Sequence, residues 1–308
     1  APNAGTISGT NSIAIGQTSQ LSISGNSASG TWASANTSLA TVNSSGLVTG
    51  VAAGSVNITY TVSGSGPCSD ATDTYAVTVT GTIATVGSGN WSDDVIWGGG
   101  SKPTSGQDVT ILHDMTVDES TADLGDLTIN SGTTLTVGAF TLEASGTFDN
   151  NGTLSLGASS TVNADGTYDG TGSNVSISGT GTLQLGGSVT SLGALDASAG
   201  TVKYDGSVQN ILADNYYNLV IDQSGNKTAQ GVINVANDMT ISNSASFLTS
   251  TNTIDVTGTT TVGATLEIGN ALYNSRGGFT ATGNINFTHG GGKLKVLYCF
   301  PYVTWKSR

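Results

Sequence analysis

Between residues 122 and 296 the chain is written in short apolar-polar-apolar triplets separated by turn residues, and this rhythm limits the folds open to it more than any other feature. Leu127 and Ile129 flank Thr128, Leu135 and Val137 flank Thr136, Phe140 and Leu142 flank Thr141, and Leu154 and Leu156 flank Ser155. The pattern returns at Val175 and Ile177, Leu183 and Leu185, Ile254 and Val256, and Leu266 and Ile268. Successive side chains of a strand point to opposite faces, so each triplet sends two apolar groups one way and its middle residue the other. Corner-tolerant residues stand between the triplets, at Asn130 and Gly132, Asn150 and Gly152, Asp165 and Gly166, Asp169 and Gly170, Gly186 and Gly187, and Asp205 and Gly206.

A strand of three or four residues cannot bury a core by itself. Many in succession can if each turn of chain stacks on the next, and the expectation is a parallel, right-handed β-helix or solenoid. A Thr-Leu signature opens strands at Thr134, Thr153, Thr182 and Thr265, spacings of 19, 29 and 83 residues. This loose period predicts rungs of roughly 20 to 30 residues, about eight in all.

Composition bears on the rest of the chain. With 44 Gly, 9% charged residues and no helical periodicity, all 308 residues fall in the all-β class. A formal charge of −13 and an isoelectric point near 4.1 leave no basic stripe to meet a phosphate backbone, so nucleic acid is not an expected partner. No run approaches the roughly 18 apolar residues of a membrane span. The chain opens at Ala1 without the basic and apolar regions of a leader, and Ser, Thr, Asn and Gly abound while Lys is scarce. These features fit a processed or excised piece of a secreted, cell-surface protein. Cys68 and Cys299 could pair only across most of the chain's length.

Residues 1–80 alternate differently, through Ile13 and Ile15, Leu21 and Ile23, Val56, Ile58, Tyr60 and Val62, then Tyr75, Val77 and Val79. Several short strands joined by Gly-rich turns predict a small β-sandwich. The segments around Gly30, Trp32 and Ser34, Asn36 and Leu39, Val42, Ser45, Val48, Val51, Gly54, Val56 and Ile58 resemble a bacterial immunoglobulin-like repeat of group 2. With the opening around Pro2 and Gly5 and the stretch around Pro67, Cys68 and Asp70, they resemble the tandem repeats of giant surface adhesins of Bacteroidetes. Such repeats carry a second cysteine where this chain has Ala14, so the resemblance implies that Cys68 lacks that partner. Trp32, a candidate sugar platform, takes the core position of the motif.

Residues 81–121 read as a linker and the N-terminal cap of a solenoid spanning 122–296. Trp91, Trp97, Gly100, Pro103, Asp108 and Ile111 resemble the segment, similar to the G8 module, that precedes β-helical regions of extracellular proteins. The two tryptophans would cover the open first rung, whose bare edge otherwise invites pairing with another chain. After Gly292 the text changes. Residues 293–308 hold four of the eight basic residues and no acidic one, and 297–308 read as an atypical tail, a repeat cut short or a foreign sequence.

The candidate chemistry is sparse. His113 beside Asp114, with Asp108, Asp118, Glu119, Asp123 and Asp126 nearby, would need an activated serine or converging ligands to act, and no Gly-x-Ser-x-Gly elbow is present. A glycosidase needs two carboxylates across one groove, for which Glu143, Asp149, Asp165, Asp169 and Glu267 are candidates unpaired by any motif. A lyase also wants a base, and between residues 122 and 292 only Lys203, Lys227 and Arg276 are basic. Asp149, Asp165 and Asp169, read as lying on acidic turns, are candidate ligands for a structural calcium ion, although Asp caps turns without any metal. Thr-rich runs such as Thr133 to Thr136 and Thr259 to Thr261 would bind ice only if aligned over successive rungs, and Thr is in any case a common strand residue. Tyr216 and Tyr217 read as packing across a rung boundary. The functional expectation is a non-enzymatic adhesin fragment, an Ig-like spacer followed by a solenoid stalk, whose partner is a cell-surface or environmental polysaccharide or another protein. A carbohydrate-active β-helix enzyme or a carbohydrate-binding module is the alternative.

Overall fold

The computed structural model describes residues 1–196, 198–288 and 290–296. Among these the sole helical element is a single 3-10 turn, Asp94–Ile96, and all other regular structure is strand. The chain divides into two compact units: Ala1–Gly89 with Asp93–Pro103 and Gln107–His113, and Asn90–Ser92 with Thr104–Gly106 and the chain from Asp114 onward.

The first unit is the expected sandwich. Thr6–Ser8 pairs antiparallel with Ser22–Ser24, and Leu47–Gly50 pairs antiparallel with both Thr18–Gln20 and Ala40–Val42. Gly54–Val62 lies antiparallel between Thr31–Ser34 and Ala71–Ala84. Alternation fills the space between them, with Ile7, Ile13, Leu21, Val48, Val56, Ile58, Tyr60, Val62, Val77 and Val79 in one buried cluster. Trp32 packs against that cluster, its ring tilted on Tyr60 at 4.8 Å, which is a core role. Cys68 is an exposed free thiol, as expected of a copy with Ala14, while Cys299 lies outside the described residues. The strand Ala71–Ala84 spans residue 80, where the sequence reading ends the sandwich, and Ile83 and Ala84 pair in parallel with Val109 and Thr110. The β-branched run of Thr78, Val79, Thr80 and Thr82 favours extended backbone across this point.

The second unit is a parallel β-solenoid of about nine turns. Its spine is a nine-stranded sheet running from Asp123–Leu124 through Thr141–Ala144, Thr161–Ala164, Thr182–Leu185, Thr201–Tyr204, Asn218–Ile221, Met239–Ile241 and Thr259–Val262 to Gly278–Ala281. Thr141, Thr161, Thr182 and Thr201 stand in register, so a rung closes every 19 to 21 residues, and only the step from Thr201 to Asn218 shortens to 17. The rung is thus at the short end of the expected range, and the 29-residue spacing between Thr153 and Thr182 joins strands of two different walls.

The other two walls change partway along. Met115–Val117, Thr134–Val137, Thr153–Leu156, Asn174–Ile177 and Ala194–Asp196 form one wall of the first half, and Leu127–Ile129, Phe148–Asn150, Tyr168–Asp169 and Val189–Ser191 another. They end there. New walls begin at Gln209–Ile211, continuing through Gly225–Ala229, Ala245–Leu248, Thr265–Ile268 and Asn284–Phe287, and at Asn215–Tyr216, continuing through Ile233–Val235, Ile254–Val256, Leu272–Ser275 and Lys293–Val296. Two buried tyrosines fill the changeover. The hydroxyls of Tyr204 and Tyr216 are 3.1 Å apart, and Tyr216 donates to the Leu212 carbonyl at 2.9 Å, so no polar atom of the pair is stranded.

The interior is built from aligned columns. Leu142, Val162, Leu183, Val202, Leu219 and Met239 occupy one position on successive rungs, none more than 2% exposed. Each such side chain contributes roughly 1.5 to 3 kcal/mol by leaving water. Every apolar triplet residue named from the sequence is buried except Phe140, which is exposed. Phe140 lies on the bend before its strand, where pleat alternation does not hold, and the inward pair of that strand is Leu142 and Ala144.

Candidate functional site

The acidic candidates are spread around the solenoid. Glu143 lies on the outer face of the spine, in a column that reads Asp123, Glu143, Asn163, Gln184 and Lys203 on successive rungs. Asp149 and Asp169 are neighbours on a different wall, Asp149 inside its strand and Asp169 at the end of a two-residue strand where the chain turns. Burial raises the Asp149 carboxyl first, and the charges of Asp169 and Asp126 raise it further. Asp169 accepts from the Thr171 amide at 2.9 Å and its hydroxyl at 2.6 Å, which is the capping chemistry Asp performs in turns. Asp165 follows the spine strand Thr161–Ala164 and accepts from Asn163 Nδ2 at 3.3 Å. Glu267 occupies another wall of the second half, where Ser246 donates to it at 3.2 Å.

Among the described residues, no three His, Cys, Asp or Glu side chains converge to hold a metal ion. His113, in the first unit, has Nδ1 at 3.2 Å from the Thr85 hydroxyl, whose oxygen also accepts from the Leu112 amide at 2.9 Å. Asp114 instead accepts from the Thr134 amide at 2.8 Å, capping a rung. His289 lies outside the described residues.

Two constellations form that the sequence reading does not assemble. One is a charged corner beside the spine. Lys203 reaches Asp222 at 2.9 Å and Asp205 at 3.5 Å, while Ser242 and Asn243 donate to Asp222 at 2.9 and 2.7 Å. Burial alone would raise the Asp222 carboxyl, but these donors and the Gln223 amide outweigh it and bring it to about 2. Asp205 goes the other way, raised by burial that Lys203 and Gln184 only partly offset, and its Oδ1 has no hydrogen-bond partner. Lys227 projects inward from Gly225–Ala229, fully buried, and donates to the carbonyls of Gln223 and Ser224 at 2.6 and 3.2 Å. Desolvation lowers its ammonium pKa despite Asp222 and Asp205.

The other is a groove of about 320 Å³ on the wall that begins at Asn215–Tyr216. Asn215, Asn234, Asp255 and Asn274 stand in register as its outer column. Asn234 donates to Asn215 at 2.9 Å, and Arg276 grips Asp255 with two parallel bonds, Nε to Oδ1 at 2.7 Å and Nη2 to Oδ2. The Arg276 bond holds the Asp255 carboxyl below its ordinary value against the opposing effect of burial. Val235 and Ala236 supply apolar lining. Tyr217 is not among the residues of this groove and instead lines a narrow crevice with Ile177, Leu195 and Val202, residues of neighbouring rungs. The signal for the groove is present in the sequence only as Asn215, Asn234, Asp255 and Arg276 spaced by 19, 21 and 21 residues.

The family model for a bacterial Ig-like domain (group 2) matches residues 5–70, so the first unit contains such a domain and the β-solenoid follows it. No curated protein matches the chain. A bacterial Ig-like domain is typical of extracellular proteins, and no helix among the described residues is long and apolar enough to cross a membrane.

Proposed function

We propose that this chain is a non-enzymatic arm of a bacterial cell-surface adhesin, secreted and exposed to the medium, in which the Ig-like domain is a spacer and the solenoid is a stalk that meets an extracellular polysaccharide or protein. One observation carries the reading: a continuous nine-rung spine whose inward positions are mostly aliphatic columns, with Glu143, the Asp149 and Asp169 pair, and Glu267 on three separate walls. Backbone hydrogen bonds from rung to rung give such an arm mechanical continuity, and short aliphatic columns give it stability without a large globular core.

Incubation of the purified chain with a panel of neutral and acidic polysaccharides tests the reading. No new reducing ends and no unsaturated uronate absorbance are expected. Turnover that disappears in an Asp149→Asn, Asp169→Asn double variant would contradict it and restore the enzyme alternative, since those two carboxylates are neighbours on one outer face.

A further inference from the structure

The groove wall differs from the rest of the molecule in charge. The chain as a whole carries −13, yet on this wall the single carboxylate of the groove, Asp255, is already neutralised by Arg276. The next rung of the same wall, Lys293–Val296, then places Lys295 in register with Asn274 and Lys293 with Leu272. Both lysines are exposed, and neither has an ion-pair partner among the described residues. The outer column of this wall therefore reads Asn215, Asn234, Asp255, Asn274 and Lys295, with Lys293 beside it on the last described rung.

We infer that this wall binds an acidic polysaccharide, a uronate-bearing glycan laid along Asn215, Asn234, Asp255 and Arg276 with its carboxylates toward Lys293 and Lys295. Amide, carboxylate and guanidinium groups make paired donor and acceptor contacts suited to vicinal hydroxyls. Strands repeat every ~4.8 Å along the wall, about the length of one pyranose ring, so successive sugars meet equivalent groups. Ala236, exposed at the edge of the groove, offers apolar surface to a ring C–H face. An ammonium without a carboxylate partner in an acidic protein attracts anionic ligand at low salt and loses that attraction as salt rises. The inference names the ligand class for the adhesive role proposed above and rests on that reading.

The test uses the whole chain, with polygalacturonate, dextran and a single-stranded DNA oligonucleotide as probes in an immobilised binding assay at two salt concentrations. Retention of polygalacturonate above dextran and DNA is expected, weakening at higher salt. The Lys293→Ala, Lys295→Ala double variant should weaken it about tenfold. Asn234→Ala should weaken it at both salt concentrations while leaving the melting temperature within a degree or two of the parent. Equal retention of DNA would show bare charge attraction, and equal retention of dextran or an unaffected double variant would remove the lysines from the site; any of these overturns the inference. Those results would leave the arm reading intact, whereas cleavage of the polygalacturonate would contradict the arm reading itself.

Discussion

At the scale of the residue, the charged corner makes opposed demands that separate variants can resolve. Asp222, with a folded pKa of about 2 against an ordinary 3.8, contributes stability that is fully present above pH 3.8 and lost as pH falls through about 2. By linkage the contribution is roughly 2 kcal/mol. Asp222→Asn should therefore lower urea-unfolding stability at pH 7 by about that amount and remove the extra acid sensitivity over the same window. A variant as stable as the parent at both pH values would show that the four donors do not act on a charged Asp222. Asp205→Asn should cost much less, because that carboxylate is raised by burial and has one oxygen unpartnered. Lys227 occupies an inward position between Gln209 on the rung before and Phe247 and Leu266 on the rungs after. Since burial lowers its ammonium pKa, folding disfavours its charged form, so stability from this group rises as pH climbs through the folded pKa toward 10.5. Lys227→Met should change stability at pH 7 by no more than about 1 kcal/mol and flatten that alkaline rise. A loss of several kcal/mol would instead make its two carbonyl contacts a needed part of the corner.

At the scale of the element, the inward columns give the sharpest contrast. Leu154 pairs in register with Leu135 and Val175 and is fully buried, so Leu154→Asp should cost roughly 4 kcal/mol or more by placing an unpaired carboxylate among aliphatic side chains. An unchanged melting curve would refute the inward assignment. Where the chain turns into the strand Gly225–Ala229, Gly225 has φ +105° and a Cβ there would stand 1.7 Å from the Ser207 carbonyl oxygen. Gly225→Ala should destabilise by roughly 3 kcal/mol, combining backbone strain with a contact that only a shift of the neighbouring rung relieves. These strands were legible in the sequence because a triplet such as Leu183, Gln184 and Leu185 declares its two faces without help from the rest of the chain. Phe140 misleads for the complementary reason: a triplet does not say where its strand begins. The groove was illegible because Asn215, Asn234, Asp255 and Arg276 become neighbours only once the rung length is fixed, and the shortened step from Thr201 to Asn218 with the replacement of two walls hides that length. The charged corner was hidden likewise, since Lys203, Asp205, Asp222 and Ser242 meet across three rungs.

At the scale of the whole molecule, the account is of an arm whose strength lies in repetition. Contacts in the solenoid are between neighbouring rungs, so its stability is close to a sum over rungs and their interfaces, and load should be released rung by rung. The Ig-like domain differs, because its strands Gly54–Val62 and Ala71–Ala84 close one sandwich that unfolds as a unit. The direct test is to pull the solenoid between handles placed at residues 122 and 288 in a single-molecule force experiment. The account predicts extension steps that are whole multiples of one rung of 19 to 21 residues, about 70 Å of released chain each. Release of the entire segment in one event at low force, with no rung-sized steps, would contradict it.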